Sequence, residues 1–508
     1  MAEAQPQATA TRSALGALVL LSAALLAIRA VAATRVGFGD SEALYASYAL
    51  HPQPAYLDHP GLVGIVARAI GGGTAPSPLQ AHVVTAVLAT AWPWVMALAC
   101  RAAGATWARS LWAALVVALV PEMAVGLFAL TPDLLLALAW TGALALAAAA
   151  LRSPPGSVRA TVAFASAGVL AGVGTSAKVT GIALLVALAA AYASPAARPH
   201  ARTVAPWAGL AAGLLVVAPV AMFEAHTGWP MLHHRLVDTQ ASAGLSLRNA
   251  GALVGGQLVY LSPLVAWLAV VAARAAWRDR EDAVGALLVA ALLVPLAPLV
   301  AICLWSRVAE PHWIAPALLA LVPAAARASV APSRRLVVAT AALAGVMVAA
   351  VHAWVLVPQA ARLAPADADP RLDLTNELLG WPGVVDEVRA EAIEAWSPGA
   401  ERGEVSVVGP HWVICAQLEA ALRGEWPVGC DTPVKDDFDG WWPRRAWRQA
   451  DVIVWVSDAR FEPAEGEPSY AGILGAYAPL RRREVRVERA GRTVRWFTVT
   501  VLSRRAGA

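Results

Sequence analysis

Eleven apolar runs divide the first 357 residues, near 14–34, 81–100, 110–129, 133–151, 160–176, 179–194, 205–223, 250–273, 283–304, 312–328 and 336–357. Each approaches the roughly 17–25 residues that a bilayer core requires, the fifth and sixth being short. Hydrocarbon offers the backbone no water, so runs of this kind must become helices. The 508 residues are 58% hydrophobic and 15% charged, with a mean hydropathy of +0.58, whereas a soluble chain carries about a quarter charged residues. The first run, Leu15–Ala33, has only Arg12 as a basic leader and is followed by many further runs. It reads as an uncleaved transmembrane helix rather than a signal peptide. The expected fold is a polytopic α-helical membrane protein of about eleven spans over residues 1–357, with a small α/β domain over 358–508.

Arginines fall in alternate loops: Arg101/Arg109, Arg152/Arg159, Arg198/Arg202, Arg274/Arg278/Arg280 and Arg327/Arg334/Arg335. The positive-inside rule assigns that side, and the N-terminus, to the cytoplasm. The first loop, about 35–80, is then exterior, and an odd number of spans puts residues 358–508 there too. The net charge of +4 is scattered through these loops and forms no stripe of the kind that binds nucleic acid.

After the proline-punctuated stretch Pro358–Pro370 the composition changes. Short β-like runs appear at Glu404–Val408, Val452–Val456, Glu484–Glu488 and Thr493–Leu502, the last two forming a hairpin that turns at Ala490–Gly491. Helical periodicity covers Leu374–Trp396, apart from Pro382, and Val413–Arg423. Of four cysteines, Cys100 and Cys303 lie in or at the ends of apolar helices and read as core residues. Cys415 and Cys430 both lie in the exterior domain, where an oxidising compartment would allow a disulfide. There is no CxxC or HExxH spacing and no phosphate-binding glycine loop, which argues against a nucleotide-driven pump and leaves an energy source or activated donor to come from elsewhere. Internal repeats, the mark of a transporter built from inverted halves, are not evident.

The ionisable residues gather on the exterior side. FGDSEALYASYALHPQPAYLDHPGL, residues 38–62, carries Asp40, Glu42, Asp58 and His59 directly behind the first span, with Tyr45 and Tyr56 among them. Carboxylates at a membrane surface usually mean function. Only two lysines occur, Lys178 and Lys435. Lys178, in GVGTSAKVTG beside Ser176 and Thr180, is either a snorkelling helix-end residue or a point charge for an anionic head group. Asp133 in TPDLLLAL is an ordinary helix start by itself, and gains interest from sharing a face with Lys178 and the first loop. The loop 224–249 adds Glu224, His226, His233, His234, Arg235, Asp238 and Arg248, of which Arg235 or Arg248 suits a phosphate. The paired histidines read as solvated loop more than metal ligands. WSRVAEPHWIAP then brings Arg307, Glu310, His312 and Trp313, the last placed as an interfacial aromatic.

In this order the pieces GDSEALYASYA, YLDHPGL, TPDLLLAL, GVGTSAKVTG and PHWIAP resemble the GT-C glycosyltransferases of the protein O-mannosyltransferase and aminoarabinose transferase superfamily, particularly the bacterial members of glycosyltransferase family 39. VVGPHWVICAQLEAAL and DDFDGWWP resemble the exterior domain of bacterial relatives. The resemblance implies a donor made of a sugar on a polyprenyl phosphate, inversion at the sugar carbon, a bacterial inner-membrane location and an envelope acceptor: lipid A, another glycan, a lipid or a protein hydroxyl. Relatives read Asp-Glu where this chain has Asp40-Ser41-Glu42, and Pro where it has Gly61. The acidic pair is therefore offset or reduced to one acid, and the loop geometry is expected to differ.

Inverting transfer needs a carboxylate to take the acceptor's proton. Asp40 is the first candidate and Glu42 the second. The departing phosphate needs fixed cations; Lys178 is the first candidate, helped by Arg235 or Arg307. His59 and Asp58 shape the donor site. Asp133 orients them or, with Glu42, helps hold a divalent ion, though no complete ligand set is visible. His312, Trp313, Tyr45 and Tyr56 support the site. The rival readings are a transporter or flippase for a lipid-linked substrate and a non-catalytic glycan-binding relative.

Overall fold

The computed structural model describes residues 4–240, 243–306, 308–330, 332–365, 367–396, 404–462 and 467–506. Seven helices are long and apolar enough to cross a bilayer unbroken: Ala8–Ala33 (the apolar length of Ala4–Ala33), Pro78–Ala102, Pro132–Leu151, Val158–Ala177, Ala205–Thr227, Ala283–Trp305 and Arg334–Leu356. The chain is thus a multi-pass membrane protein. Three further runs are bent: Trp107–Ala118 with Pro121–Phe128 by 79°, Val179–Tyr192 with Pro195–Ala201 by 70°, and Leu247–Tyr260 with Pro263–Arg278 by 103°. Each second limb begins at a proline, which has no N–H to continue the preceding helix but suits a first turn. All eleven expected runs are helical, and the difference from expectation is continuity. The run at 312–328 consists of the short pieces Pro311–Ile314, Ala315–Leu318 and Leu321–Arg327, punctuated by Pro311, Pro316 and Pro323. By length and composition the described residues therefore give seven to ten spans where about eleven are expected.

Contacts divide the chain into two compact units. The first comprises Met1–Ala30, Pro54–Leu62 and Val84–Val351. Its main core is drawn from residues between Ala89 and Ala326. Helices Val158–Ala177 and Ala205–Thr227 meet through glycines: Gly168 and Gly172 on one, Gly209 and Gly213 on the other. A Cβ on Gly168 would lie 1.7 Å from Gly209 O, and one on Gly172 2.4 Å from Gly213 O. Small residues four apart on both helices let the backbones touch, which is how helices associate where lipid removes the hydrophobic drive. Arg29, buried inside the first helix, donates to Thr90 Oγ1 and Ala124 O, each at 2.9 Å.

The second unit comprises Val31–Gln53, Val63–Val83 and His352–Ala508. It contains a five-stranded sheet with β1 (Val405–Gly409), β2 (Val428–Cys430), β3 (Val452–Asp458), β4 (Tyr477–Arg489) and β5 (Arg492–Arg504) in the order β2-β1-β3-β5-β4. The β1–β2 and β1–β3 pairs are parallel and the β3–β5 and β4–β5 pairs antiparallel. β1 is wholly buried and β3 nearly so, as their unbroken valine-rich runs require. The hairpin turns at Ala490 and Gly491, both at positive φ, the backbone of a two-residue turn that matches strand twist. The helix expected at Leu374–Trp396 begins at Trp381, with Pro382 in its first turn after Gly380 at positive φ; Leu374–Leu378 is a 3-10 turn. Trp412–Leu422 is helical as read, and β2 is an addition.

Gly168→Ala is expected to force the glycine-faced helices apart and cost about 1–3 kcal/mol, the usual range for overpacking. Gly255→Ala, where an added Cβ meets nothing within 4 Å, serves as the control. Unfolding midpoints of the two variants in detergent check this; equal midpoints would refute the close contact.

Candidate functional site

The first unit builds a polar cluster from segments far apart in sequence. Pro54–Gly61 closes as a tight loop: Ala55 bridges Pro60, Tyr56 N–H donates to His59 O at 2.9 Å, and Gly61 N–H donates to Pro54 O at 2.7 Å. That last bond explains Gly61. Its φ is not positive, so the position uses an N–H that proline lacks rather than glycine's freedom. The loop presents Asp58, which Arg235 grips twice: Nη2 lies 3.0 Å from Oδ1, and Nε donates to the backbone O at 3.2 Å. His234 Nε2 stands 3.8 Å from the same Oδ1. His59 and Tyr56 are buried. Burial first, then the charges of Arg235 and Lys178, hold the His59 imidazolium well below its ordinary pKa, so this side chain acts as a neutral imidazole.

Lys178 sits where a helix stops. Helix Val158–Ala177 ends with Lys178 in extended backbone, and a 3-10 turn Val179–Gly181 follows before the chain re-enters a helix. A Cβ on Gly181 would lie 2.5 Å from Thr175 N, so the glycine permits the fold-back that turns Lys178 inward. Its Nζ donates to both carboxylate oxygens of Asp133, at 2.8 and 3.0 Å. Asp133 lies in the first turn of helix Pro132–Leu151, after Thr131 and Pro132. An ammonium carries three donors, so two are spent on orientation. His312 Nδ1 pairs with Glu310 Oε2 at 3.1 Å, and its ring meets the edge of Tyr260. The His312 hydrogen bond, against the opposing effect of burial, holds the Glu310 carboxyl below the usual range. Asp133 and Lys178 lie close enough for their charges to act on His59, Glu122 and Glu310, and His312 acts on Asp133 and Glu310. Around them Thr131 Oγ1, Ser176 Oγ, Thr180 Oγ1 and Glu122 Oε2 are buried without a hydrogen-bond partner among the described residues. Unpaired buried oxygens are costly and require an explanation; a bound polar ligand is one. Trp313 packs on Leu299, Cys303 and Ile314. Glu224, buried, accepts from Met231 N–H at 3.1 Å, and Arg248 is exposed. Arg307 lies outside the described residues.

The acidic motif belongs to the second unit. Asp40–Ser47 is a short helix capped by Gly39, whose N–H donates to Glu42 Oε2 at 2.9 Å. Glu42 Oε1 meets His82 Nε2 at 3.0 Å. Both Glu42 oxygens are thus engaged and the residue is buried, which suits a helix-fixing role. Tyr45 is buried against Tyr48, and Ser41 is exposed. Asp40, partly exposed, receives Arg460 in a bidentate pair, Nη1 to Oδ2 and Nη2 to Oδ1, both 3.1 Å. Arg460 Nε donates to Asp458 Oδ2 at 3.1 Å, and Asp458 is held in turn by Arg495, at 3.1 Å from Nε and 2.5 Å from Nη2. Arg495 Nη1 donates to the carbonyls of Asn376, Glu377 and Leu379. Burial first, then the charge of Asp40, raises the Glu377 carboxyl to about 8. Burial pushes His411 down, although Asp40 opposes it; its ring stacks on Phe461 at 3.8 Å. Cys415 and Cys430 are joined by a disulfide, with Cα atoms 5.9 Å apart. Among the described residues no three His, Cys, Asp or Glu side chains group as a metal site.

Residues 77–223, which include Asp133 and Lys178, match the family model described as dolichyl-phosphate-mannose-protein mannosyltransferase. No curated protein matches the chain. Among solved structures, ArnT from Cupriavidus metallidurans bound to undecaprenyl phosphate is similar over 96% of this chain and 98% of its own, at 16% identity and a TM-score of 0.63. Its apo state gives 0.64 over the same coverage. The chain has the GT-C fold. The oligosaccharyltransferase AglB from Archaeoglobus fulgidus is also similar, at 13% identity, over 88% of this chain and 69% of its own, with a TM-score of 0.49.

Within this GT-C chain, motif reading finds Asp58, His59, Asp133, Lys178, Arg235 and His312, which the first unit gathers. It misses Glu122, Glu377, Asp458, Arg460 and Arg495. The available signal for the last group was weak: Asp458 ends the strand β3, Arg460 follows it, and Arg495 interrupts β5.

Glu377 keeps its proton in the folded state up to about pH 8, while an unfolded glutamate releases it near 4.5. Between these values the folded state binds more protons, so its stability falls as pH rises. Glu377→Gln is expected to flatten that decline, read as unfolding midpoints from pH 4.5 to 8.5; an unchanged pH slope would contradict the assignment.

Proposed function

We propose that the chain is an inverting glycosyltransferase that moves a sugar from a polyprenyl-phosphate donor to a hydroxyl of an envelope acceptor at the outer face of a bacterial inner membrane. The observation that carries this reading is the cluster of Lys178 on Asp133, Arg235 on Asp58 and neutral His59, surrounded by unsatisfied buried oxygens. It has the fold of a protein solved with undecaprenyl phosphate. The arginines of the alternate loops support placing the acidic loop and residues 358–508 on the outer face.

Each role follows from chemistry. The acceptor oxygen forms a bond to the anomeric carbon as its proton passes to a carboxylate; the bond from that carbon to the phosphate oxygen breaks, and its electron pair stays on the phosphate. Asp40 is the base in this reading, because its carboxylate keeps partial access to solvent whereas Glu42 is buried. Lys178 and Arg235 take the developing negative charge. Arg235 spends Nε and Nη2 on Asp58, which leaves the Nη1 edge for a phosphate oxygen. Asp58 and Asp133 fix these cations before the substrate arrives, so that little reorganisation is required as charge develops. His59 supplies a neutral hydrogen bond. The driving force is the donor's own phosphoester bond.

Wild type, Asp40→Asn and Lys178→Ala in nanodiscs, with a panel of polyprenyl-phosphate sugars and envelope extract, test this by release of free polyprenyl phosphate. Asp40→Asn is expected to lose about 10²–10⁴-fold, the usual contribution of a general base, and Lys178→Ala about 10²–10³-fold. Wild-type release matched by Asp40→Asn would move the base elsewhere. Release from no donor would favour the transporter or glycan-binding reading.

A further inference from the structure

The ionisable groups that act on Asp40 from the C-terminal part of the second unit are Arg460, Arg495, Glu377 and His411, the last held below its ordinary pKa by burial. Asp40, Arg460, Asp458 and Arg495 alternate in sign along a continuous chain of ion pairs. Asp458 and Arg495 are essentially without solvent access. Two anions and two cations balance, which is how buried charges persist. Glu377 is a fifth ionisable group against the same residue: it accepts from the Asp40 backbone N–H and shares a hydrogen bond with the Asp40 carboxyl. Burial and the charge of Asp40 outweigh the opposing charge of Arg460 on it. Glu377, buried beside the Asp40 carboxylate, therefore keeps its proton and donates it to the hydrogen bond between the two carboxyls.

The backbone is arranged for this contact. Gly37 N–H donates to Leu378 O at 2.9 Å, which lays residues 37–39 along the segment that carries Glu377. A Cβ on Gly39 would lie 2.8 Å from Glu377 Oε1, so the glycine of GDSE admits the second carboxyl. On the other side Arg495 Nη1 collects three carbonyls of residues 376–379 and fixes the same segment. Arg460 is buttressed by Asp458 and lies over the Phe461 ring. The cation on Asp40 is therefore held from behind and is not a loose surface partner.

We propose that Arg460 and Glu377 are positioning residues for Asp40, the guanidinium orienting its carboxylate and the neighbouring carboxyl holding the pair's one proton. The C-terminal α/β region thereby supplies the electrostatic setting of the acid in the first loop. This rests on the reading of Asp40 as the base, and the second assay below is chosen to separate the two.

Transfer by full-length wild type, Arg460→Ala, Arg460→Lys and Glu377→Gln is measured across pH. Removing the cation is expected to move the acidic limb of the profile upward, with partial return in Arg460→Lys. Glu377→Gln is expected to remove the carboxyl titration that sets the alkaline side. Profiles that fall in height with unmoved limbs would mean a structural role and overturn the proposal. Independently of turnover, infrared difference spectra across pH read protonated carboxyl groups. Wild type is expected to show a carboxyl that keeps its proton at neutral pH, is absent in Glu377→Gln, and releases its proton at lower pH in Asp40→Asn. A spectrum from which Glu377→Gln removes no such band, or in which the band it removes is unmoved by Asp40→Asn, would overturn the shared proton. Full transfer by Asp40→Asn would instead overturn the base assignment, and the infrared result would stand apart from it.

Discussion

In hydrocarbon every backbone N–H and C=O must find a partner within its own helix, so chemistry gathers where helices are allowed to stop. The first unit follows this rule closely. Lys178 lies at the end of one helix, Asp133 in the first turn of another, His312 in a 3-10 turn after a proline, and Asp58 and His59 in a loop closed by its own backbone bonds. Helix breaks cost hydrogen bonds, and the polar side chains are found at those positions. Within the spans the same constraint leaves packing to small residues, as where Gly168, Gly172, Gly209 and Gly213 bring two backbones into contact.

The two carboxylates after the first span show how one motif divides its labour. Glu42 accepts from Gly39 N–H and meets His82; it completes the short helix and is buried. Asp40, two residues earlier, faces a guanidinium and keeps partial access to solvent. The spacing Asp-Ser-Glu puts them on different sides of one helix turn, with Ser41 pointing outward between them. What looks in the sequence like a pair stands in the structure as one buried anchor and one partly exposed carboxylate paired with a cation.

Hydropathy made the helical runs legible, because their length is dictated by a solvent of fixed thickness. Bends were less legible, since a proline ends a helix in one setting and starts one in another; Pro121, Pro195 and Pro263 do the latter. The hairpin at Ala490–Gly491 was readable from alternation, whereas β2 is three residues long and is defined by its neighbour β1. Asp133 and Lys178 stood out because charge is rare in an apolar background. Arg460 and Glu377 did not, since charge is ordinary in residues 358–508 and only tertiary packing distinguishes these two from the rest.

Asp40 and Arg460 are separated by 420 positions. A growing chain therefore delivers the acid to the membrane at the outset and its cation near the finish, after all the helical runs have been made. Contacts of such separation are the slowest to form, because the entropy of the intervening chain is lost before they contribute. Through most of biosynthesis the acid is an unpaired surface carboxylate, and the ion chain that fixes it closes among the last events of maturation. The first-loop carboxylate therefore gains its fixed geometry only once residues 458–495 have been made.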